Sequence, residues 1–184
     1  KQWASRHAAG FYNTRGTRYV LYGEWLYAKH TIYYDALPHY FLEFDILDTR
    51  DDVFLSTPER QRMLAGQPVA SVAVLAEGSF RRLGELTDLI GPSGFQTPQH
   101  RSRLGEHAAE LGLETDRVWR ETDTSGQMEG LYIKAEDNGA VSGRYKFVRA
   151  DFLAGVFAAE GHWLHRPIVP NCLRHGVDLF ADTL

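Results

Sequence analysis

The dipeptide Asn138-Gly139 constrains this chain more tightly than any other feature of its sequence. It lies between two β-rich runs, Glu129-Gly130-Leu131-Tyr132-Ile133-Lys134 before it and Gly143-Arg144-Tyr145-Lys146-Phe147-Val148-Arg149 after it. Asn-Gly suits the tight turn whose two central residues have positive φ, and that turn has the twist that joins antiparallel strands. A hairpin over residues 128–149 is therefore expected. It would carry a carboxylate, Glu129, at one end and cations along the returning strand. Arg144 and Lys146 are two apart and project from one strand face, arginine able to grip phosphate with two bonds and lysine acting as a point charge. Such a hairpin can hold an anionic ligand together with its metal. Simple alternation puts Lys134 on the face opposite Glu129, so the two would serve one pocket only if Gly130 bent or bulged the strand.

The rest of the chain supplies a scaffold for that hairpin. Residues 18–26 are rich in aromatic and β-branched side chains and read as a strand. Period 2 places Val20, Tyr22, Glu24 and Leu26 on one face, so a carboxylate shares a face with apolar groups and has to be paired, hydrated or used. Residues 27–38 show no clear period and read as a loop with ligand potential, carrying Lys29 and His30. Residues 39–47 have apolar groups on both faces, the pattern of a central, buried strand. Hydroxyl-proline pairs, Ser56-Thr57-Pro58 and Thr97-Pro98, open helices, the second running to about Leu111 with Leu104, Ala108 and Leu111 as its apolar stripe. Between them a strand is expected over residues 69–75 and a helix, capped by Ser79, over 81–90. Residues 1–10 read as a helix stopped at Gly10, 114–120 as a short helix and 150–160 as another.

Length and charge narrow the function classes. With 184 residues, 43% of them hydrophobic, one domain with a real core is the expectation. We divide the chain into residues 1–161 and a C-terminal extension over 162–184. A net charge of −4 argues against a protein that coats nucleic acid non-specifically, so any polyanion site has to be concentrated. One cysteine, Cys172, permits no intrachain disulfide, which fits an intracellular, cytoplasmic protein. No apolar run reaches the roughly 18 to 20 residues of a membrane helix. Only four lysines occur, and three of them, Lys29, Lys134 and Lys146, fall in the stretches singled out above. His162 and His165 have a metal-like spacing, but no cysteine or carboxylate cluster completes a set, and surface or packing roles suit them better.

Four stretches then coincide with one family's pattern. Tyr22-Gly23-Glu24-Trp25, Phe41-Leu42-Glu43-Phe44-Asp45-Ile46, Glu129-Gly130-Leu131-Tyr132-Ile133-Lys134 and Arg144-Tyr145-Lys146 resemble, in order, motifs III, IIIa, IV and V of the covalent nucleotidyltransferases. These are the ATP-dependent RNA ligases, DNA ligases and mRNA-capping enzymes, and the chain most resembles bacterial RNA ligase domain proteins. The resemblance covers about residues 19–149. It implies an α+β nucleotidyltransferase (ATP-grasp-like) domain of antiparallel sheets with flanking helices, with its N-terminal part missing. It also implies ATP and magnesium, or manganese, as cofactors, RNA ends as partners, and cofactor-binding roles for Glu24, Phe44, Arg144 and Lys134. By this resemblance Glu24 accepts hydrogen bonds from the adenosine ribose and Phe44 stacks on adenine. Glu129 lies beside the AMP phosphate as the metal ligand and Lys146 reaches phosphate, these two being the catalytic pair. The residue chemistry agrees: an ionised carboxylate suits a diol, an aromatic face a purine and a hard oxygen a divalent ion. Ordinary roles stay open, a core phenylalanine for Phe44 and arginine partners for Glu24 and Glu129. RNA ligases often have lysine where Arg144 stands, which leaves its part less defined than that of Lys146.

The family's nucleophile is the lysine of Lys-x-Asp-Gly, which attacks the α-phosphate of ATP. None of the four lysines here begins such a motif. The expectation is a chain that holds adenylate but does not adenylylate itself, part of a ligase joining RNA 3′-hydroxyl and 5′-phosphate ends through enzyme-adenylate and RNA-adenylate intermediates, as in RNA repair. A non-catalytic module binding adenine nucleotides or RNA ends is the competing reading. A DNA ligase or capping-type enzyme is a further one, disfavoured because no appended OB domain is recognisable.

Overall fold

The computed structural model describes residues 2–158 and 166–183. His162 and His165 lie outside the described residues. The fold is α+β. Strands β1 (Tyr19–Trp25), β2 (Phe41–Asp48), β3 (Val53–Phe54) and β4 (Ala70–Ser71) form one sheet, and β5 (Gly130–Asp137) and β6 (Ala140–Val148) form a second. The helices are α1 (Gln2–Arg15), α2 (Thr57–Leu64), α3 (Leu83–Thr87), α4 (His100–Glu110), α5 (Thr115–Arg120) and α6 (Ala150–Ala158).

β2 is central, as its two-faced apolar pattern implies. β1 pairs along its whole length from Tyr19↔Asp48 to Trp25↔Phe41, while β3 and β4 share its other edge. Five of its eight residues are buried, among them Leu42 and Ile46. The pairing is antiparallel except for β4, which runs parallel to β2 through Leu42↔Ala70 and Glu43↔Ser71. The strand expected over 69–75 thus shrinks to two residues. Val72 still donates to the Glu43 carbonyl, and residues 73–83 then run exposed, with no second edge to pair with. The helix expected over 81–90 is likewise short, and Arg82 rather than Ser79 stands at its cap position.

One core cluster packs Ile46 against Leu64 and Val69, with Phe11, Leu21 and Met63 around it. The other joins Tyr33 to Leu104 and Ala108 of α4, Val118 of α5 and Val169 near the C-terminus. Leu111, the expected third member of the α4 stripe, lies beyond the helix and is exposed. The first cluster explains why α1 runs through Gly10. Trp3, His7 and Phe11 recur every four residues, and Trp3 meets the rings of Trp25, His39 and Phe41. Burying that aromatic face outweighs the roughly 1 kcal/mol that glycine costs a helix, and the helix stops at Gly16 with φ +57°. A Cβ at Gly10 meets nothing within 4 Å. Gly10→Ala is therefore expected to stabilise the protein by about 1 kcal/mol, seen as a higher urea midpoint. A lower midpoint contradicts a continuous helix.

The hairpin forms as the Asn-Gly signal demands. Asn138 and Gly139 have φ of 49° and 80°, and the register runs from Asp137↔Ala140 to Gly130↔Val148. The bulge falls at Ala135/Glu136 and not at Gly130. Gly130 is needed for closeness instead, since a Cβ there would stand 1.9 Å from the Phe147 carbonyl oxygen. The turn is docked on the first sheet by the Leu55↔Ala140 bridge and by Ser56 N–H donating to the Gly139 carbonyl. Ser56 occupies the cap position of α2, but its side chain makes no capping bond. The Glu136 carboxylate, reaching over from the hairpin, accepts the N–H and hydroxyl of Thr57 at 2.9 and 2.7 Å. A full negative charge complements a helix N-terminus better than a hydroxyl does.

Candidate functional site

Every second residue from Glu24 to His30 faces one cleft of about 230 Å³, namely Glu24, Leu26, Ala28 and His30. The alternation begins in β1 and survives into the following segment because that segment is itself strapped to extended chain. Lys29 N–H donates to the Val169 carbonyl and Asn171 N–H to the Tyr27 carbonyl. Asn171 is buried, its amide donating to the Leu26 carbonyl and accepting from Tyr34 N–H, each at 2.9 Å. The residues after 165 thus form part of the cleft's wall.

Glu129 lines the cleft as well. It stands one residue before β5, and its carboxylate forms an ion pair with Lys146, Oε1 lying 2.6 Å from Nζ. Tyr34 and Phe152 line the same cleft. Burial raises the Tyr34 phenol well above its ordinary value, and the negative charges of Glu129 and Glu24 raise it further. The phenol therefore stays protonated, a donor facing acceptors. Lys146 remains largely exposed, so its charge is free to turn toward a ligand.

Phe44, Lys134 and Arg144 gather elsewhere, around Asp45. Because Tyr132 pairs with Lys146 and Lys134 with Arg144, those four side chains share one hairpin face. Lys134 Nζ lies 2.7 Å from Asp45 Oδ1 and also donates to the Phe44 carbonyl. Arg144 lies 3.4 Å from Asp45 Oδ2 and stacks 3.8 Å over the Phe54 ring. Tyr132 donates to Asp45 at 2.5 Å, its phenol pushed up to about 12 by burial and by that carboxylate. Burial lowers the Lys134 pKa against the opposing pull of Asp45. Phe44 is half-buried and meets Tyr132 edge-on at 5.7 Å. None of these three candidates is among the residues lining the cleft. Glu129 and the cationic face nonetheless meet at Lys146, with no bulge at Gly130.

Lys29 turns from the cleft and donates to the carbonyls of Glu121 and His30 at 3.0 and 3.2 Å. Burial first, and Arg166 second, pull its pKa down to about 8, with Glu121 opposing. The unfolded chain, with lysine near 10.5, binds more protons than the folded chain between those two values. Stability should therefore rise with pH across that window. Allowing for the two carbonyl bonds that favour the ammonium, Lys29 should contribute on the order of 1 kcal/mol to this rise. Urea midpoints measured from pH 8 upward should show a shallower rise in Lys29→Met; an identical profile in the variant contradicts the assignment.

Glu129 offers one carboxylate at the rim, and among the described residues no group of three or more His, Cys, Asp or Glu could enclose a metal ion. A closed protein cage is thus absent there, whereas a magnesium ion that takes most of its oxygens from phosphate and water needs only one or two carboxylates.

The model of the RNA ligase family matches residues 1–148. The chain belongs to the RNA ligase family. No curated protein and no solved structure matches it. Membership of the RNA ligase family agrees with the α+β architecture, and among the described residues no helix is long and apolar enough to cross a membrane. Sequence reasoning had reached Glu24 and Glu129 but missed Tyr34, Phe152 and Asn171 as cleft residues and Asp45 as the anchor of two cations. Asp45 carried a signal, as one of three acids in a buried strand of a chain rich in arginine.

Proposed function

We propose that this RNA ligase domain binds ATP with a divalent cation, magnesium or manganese, in the cleft between Glu24 and Glu129, and serves the joining of RNA 3′-hydroxyl and 5′-phosphate ends. The observation that carries this reading is the convergence of those two carboxylates, 105 positions apart in sequence, on one cavity in a chain of this family. Glu24 would accept hydrogen bonds from ribose hydroxyls, with Phe44 stacking on adenine. Lys146 and Arg144 would neutralise phosphate charge, with Lys134 behind them. Glu129 would share the divalent cation, whose chemistry is to offset the charge of the transferring phosphoryl group. Phe44, Arg144 and Lys134 take their places in this reading from the family pattern. Glu24 and Glu129 also line the cleft, and Lys146 is linked to it through its ion pair with Glu129.

The lysine of Lys-x-Asp-Gly is not among these 184 residues, so this chain is proposed to hold the nucleotide without bonding to it. Incubation with α-labelled ATP and magnesium tests both halves. Label should be retained on native protein and lost on denaturation. Label surviving denaturation contradicts the absence of a nucleophile, and label never retained contradicts the nucleotide site.

A further inference from the structure

We infer that Arg149 is the positioning residue for Glu129, and through it for the divalent cation; the inference rests on the reading of the site just given. Arg149 does not line the cleft, yet it grips the chain on both sides of the Glu129 α-carbon. Its Nε donates to the Met128 carbonyl at 2.6 Å, and its backbone N–H donates to the Glu129 carbonyl at 3.0 Å. Its Nη2 lies 2.6 Å from Asp123 Oδ2 and 3.2 Å from Ser125 Oγ, and its Nη1 lies 2.5 Å from Asp151 Oδ2. The guanidinium is 11% exposed and sits 5.9 Å from the centre of the Phe152 ring.

Those contacts join three walls of the cleft. Asp123 N–H donates to the carbonyl of Thr31, and Thr31 and Phe152 both line the cavity. The segment leading to Glu129, the loop after β1 and the start of α6 therefore meet at one planar cation, whose nitrogens each face a different partner. An ammonium on a flexible stem has no such fork and cannot span these partners together. The backbone that launches the Glu129 side chain is thereby immobilised, and the carboxylate falls within 2.6 Å of Lys146. Groups that orient a metal ligand without touching the metal are worth about 10- to 100-fold in metal affinity.

The test uses the whole chain. ATP binding is measured against magnesium concentration, and again in EDTA, for wild type, Arg149→Met and Arg149→Lys. Both variants should raise the half-saturating magnesium about tenfold or more. Binding of metal-free ATP should stay within about twofold, the scatter expected for an untouched contact. In metal-free protein without nucleotide, amide exchange at Glu129 should accelerate in both variants. Unchanged magnesium dependence overturns the inference. So does an equal fall in affinity with and without magnesium, because a merely structural arginine would weaken both alike. If the Arg149 variants do not fold, Asp123→Asn removes one anchor and should shift the magnesium requirement in the same direction; no shift there overturns the inference too. Absence of magnesium-stimulated ATP binding in the wild type overturns the underlying reading and the inference with it, and is recognised without any variant.

Discussion

Arg60→Met is expected to destabilise the protein by about 3–5 kcal/mol, the usual cost of leaving one member of a buried ion pair alone. Arg60 lies on α2 and Glu43 at the centre of β2, and their side chains are 3% and 0% exposed. Arg60 Nη1 stands 2.5 Å from Glu43 Oε2, which also accepts the Ser71 hydroxyl at 2.8 Å. Without the guanidinium, a carboxylate stripped of water keeps one neutral donor. Either it stays charged at high cost or it takes up a proton, and both outcomes lower stability. The pair also joins α2 and β4 to the central strand, so its loss should loosen the edge where β4 is only two residues long. Replacing both charges together, as Glu43→Leu with Arg60→Met, should recover most of the loss, because two matched apolar groups leave no buried charge unpaired. Urea unfolding of the two single variants and the double variant measures this. Additive losses in the double variant contradict the pairing.

Glu24→Ala is expected to weaken ATP binding about tenfold, the lower end of what a hydrogen bond to a charged group contributes, since Glu24 is exposed to solvent. The loss should depend on the sugar. If the carboxylate accepts ribose hydroxyls, wild type should prefer ATP to a 2′,3′-dideoxy analogue, and the variant should bind the two alike. Glu24 lies just past the bulge at Tyr22/Gly23, where an added Cβ on Gly23 would come within 2.4 Å of the Phe41 ring. The unpaired residue of this bulge is Phe44 on β2, and Trp25 still pairs with Phe41 beyond it. A variant that lost affinity for both nucleotides equally would mark Glu24 as structural only. Competition binding with the two nucleotides distinguishes these results.

Short-range chemistry made much of this architecture legible beforehand. Asn138-Gly139 specified its turn, the two-faced pattern of residues 39–47 marked the central strand, and period 2 put Glu24 and Leu26 on one face. What escaped notice depends on partners distant in sequence. The Tyr34–Asn171 strap joins residues 137 apart, and the Glu136 cap on Thr57 spans 79. No local window contains both members of either pair. The same reason accounts for Gly10, whose helix cost is visible locally while the aromatic face that outweighs it packs on strands much later in the chain. Lys134 shows the limit most clearly. Its motif marks it as important, but only the fold discloses that Asp45 holds it.

Equilibrium titration of the whole chain with ATP, at saturating magnesium, tests the central claim most directly. The account predicts saturable binding of one nucleotide per chain, displaced by AMP, and weakened in Glu24→Ala and in Lys146→Ala. Heat or fluorescence changes that never saturate, or binding that both substitutions leave untouched, would contradict it.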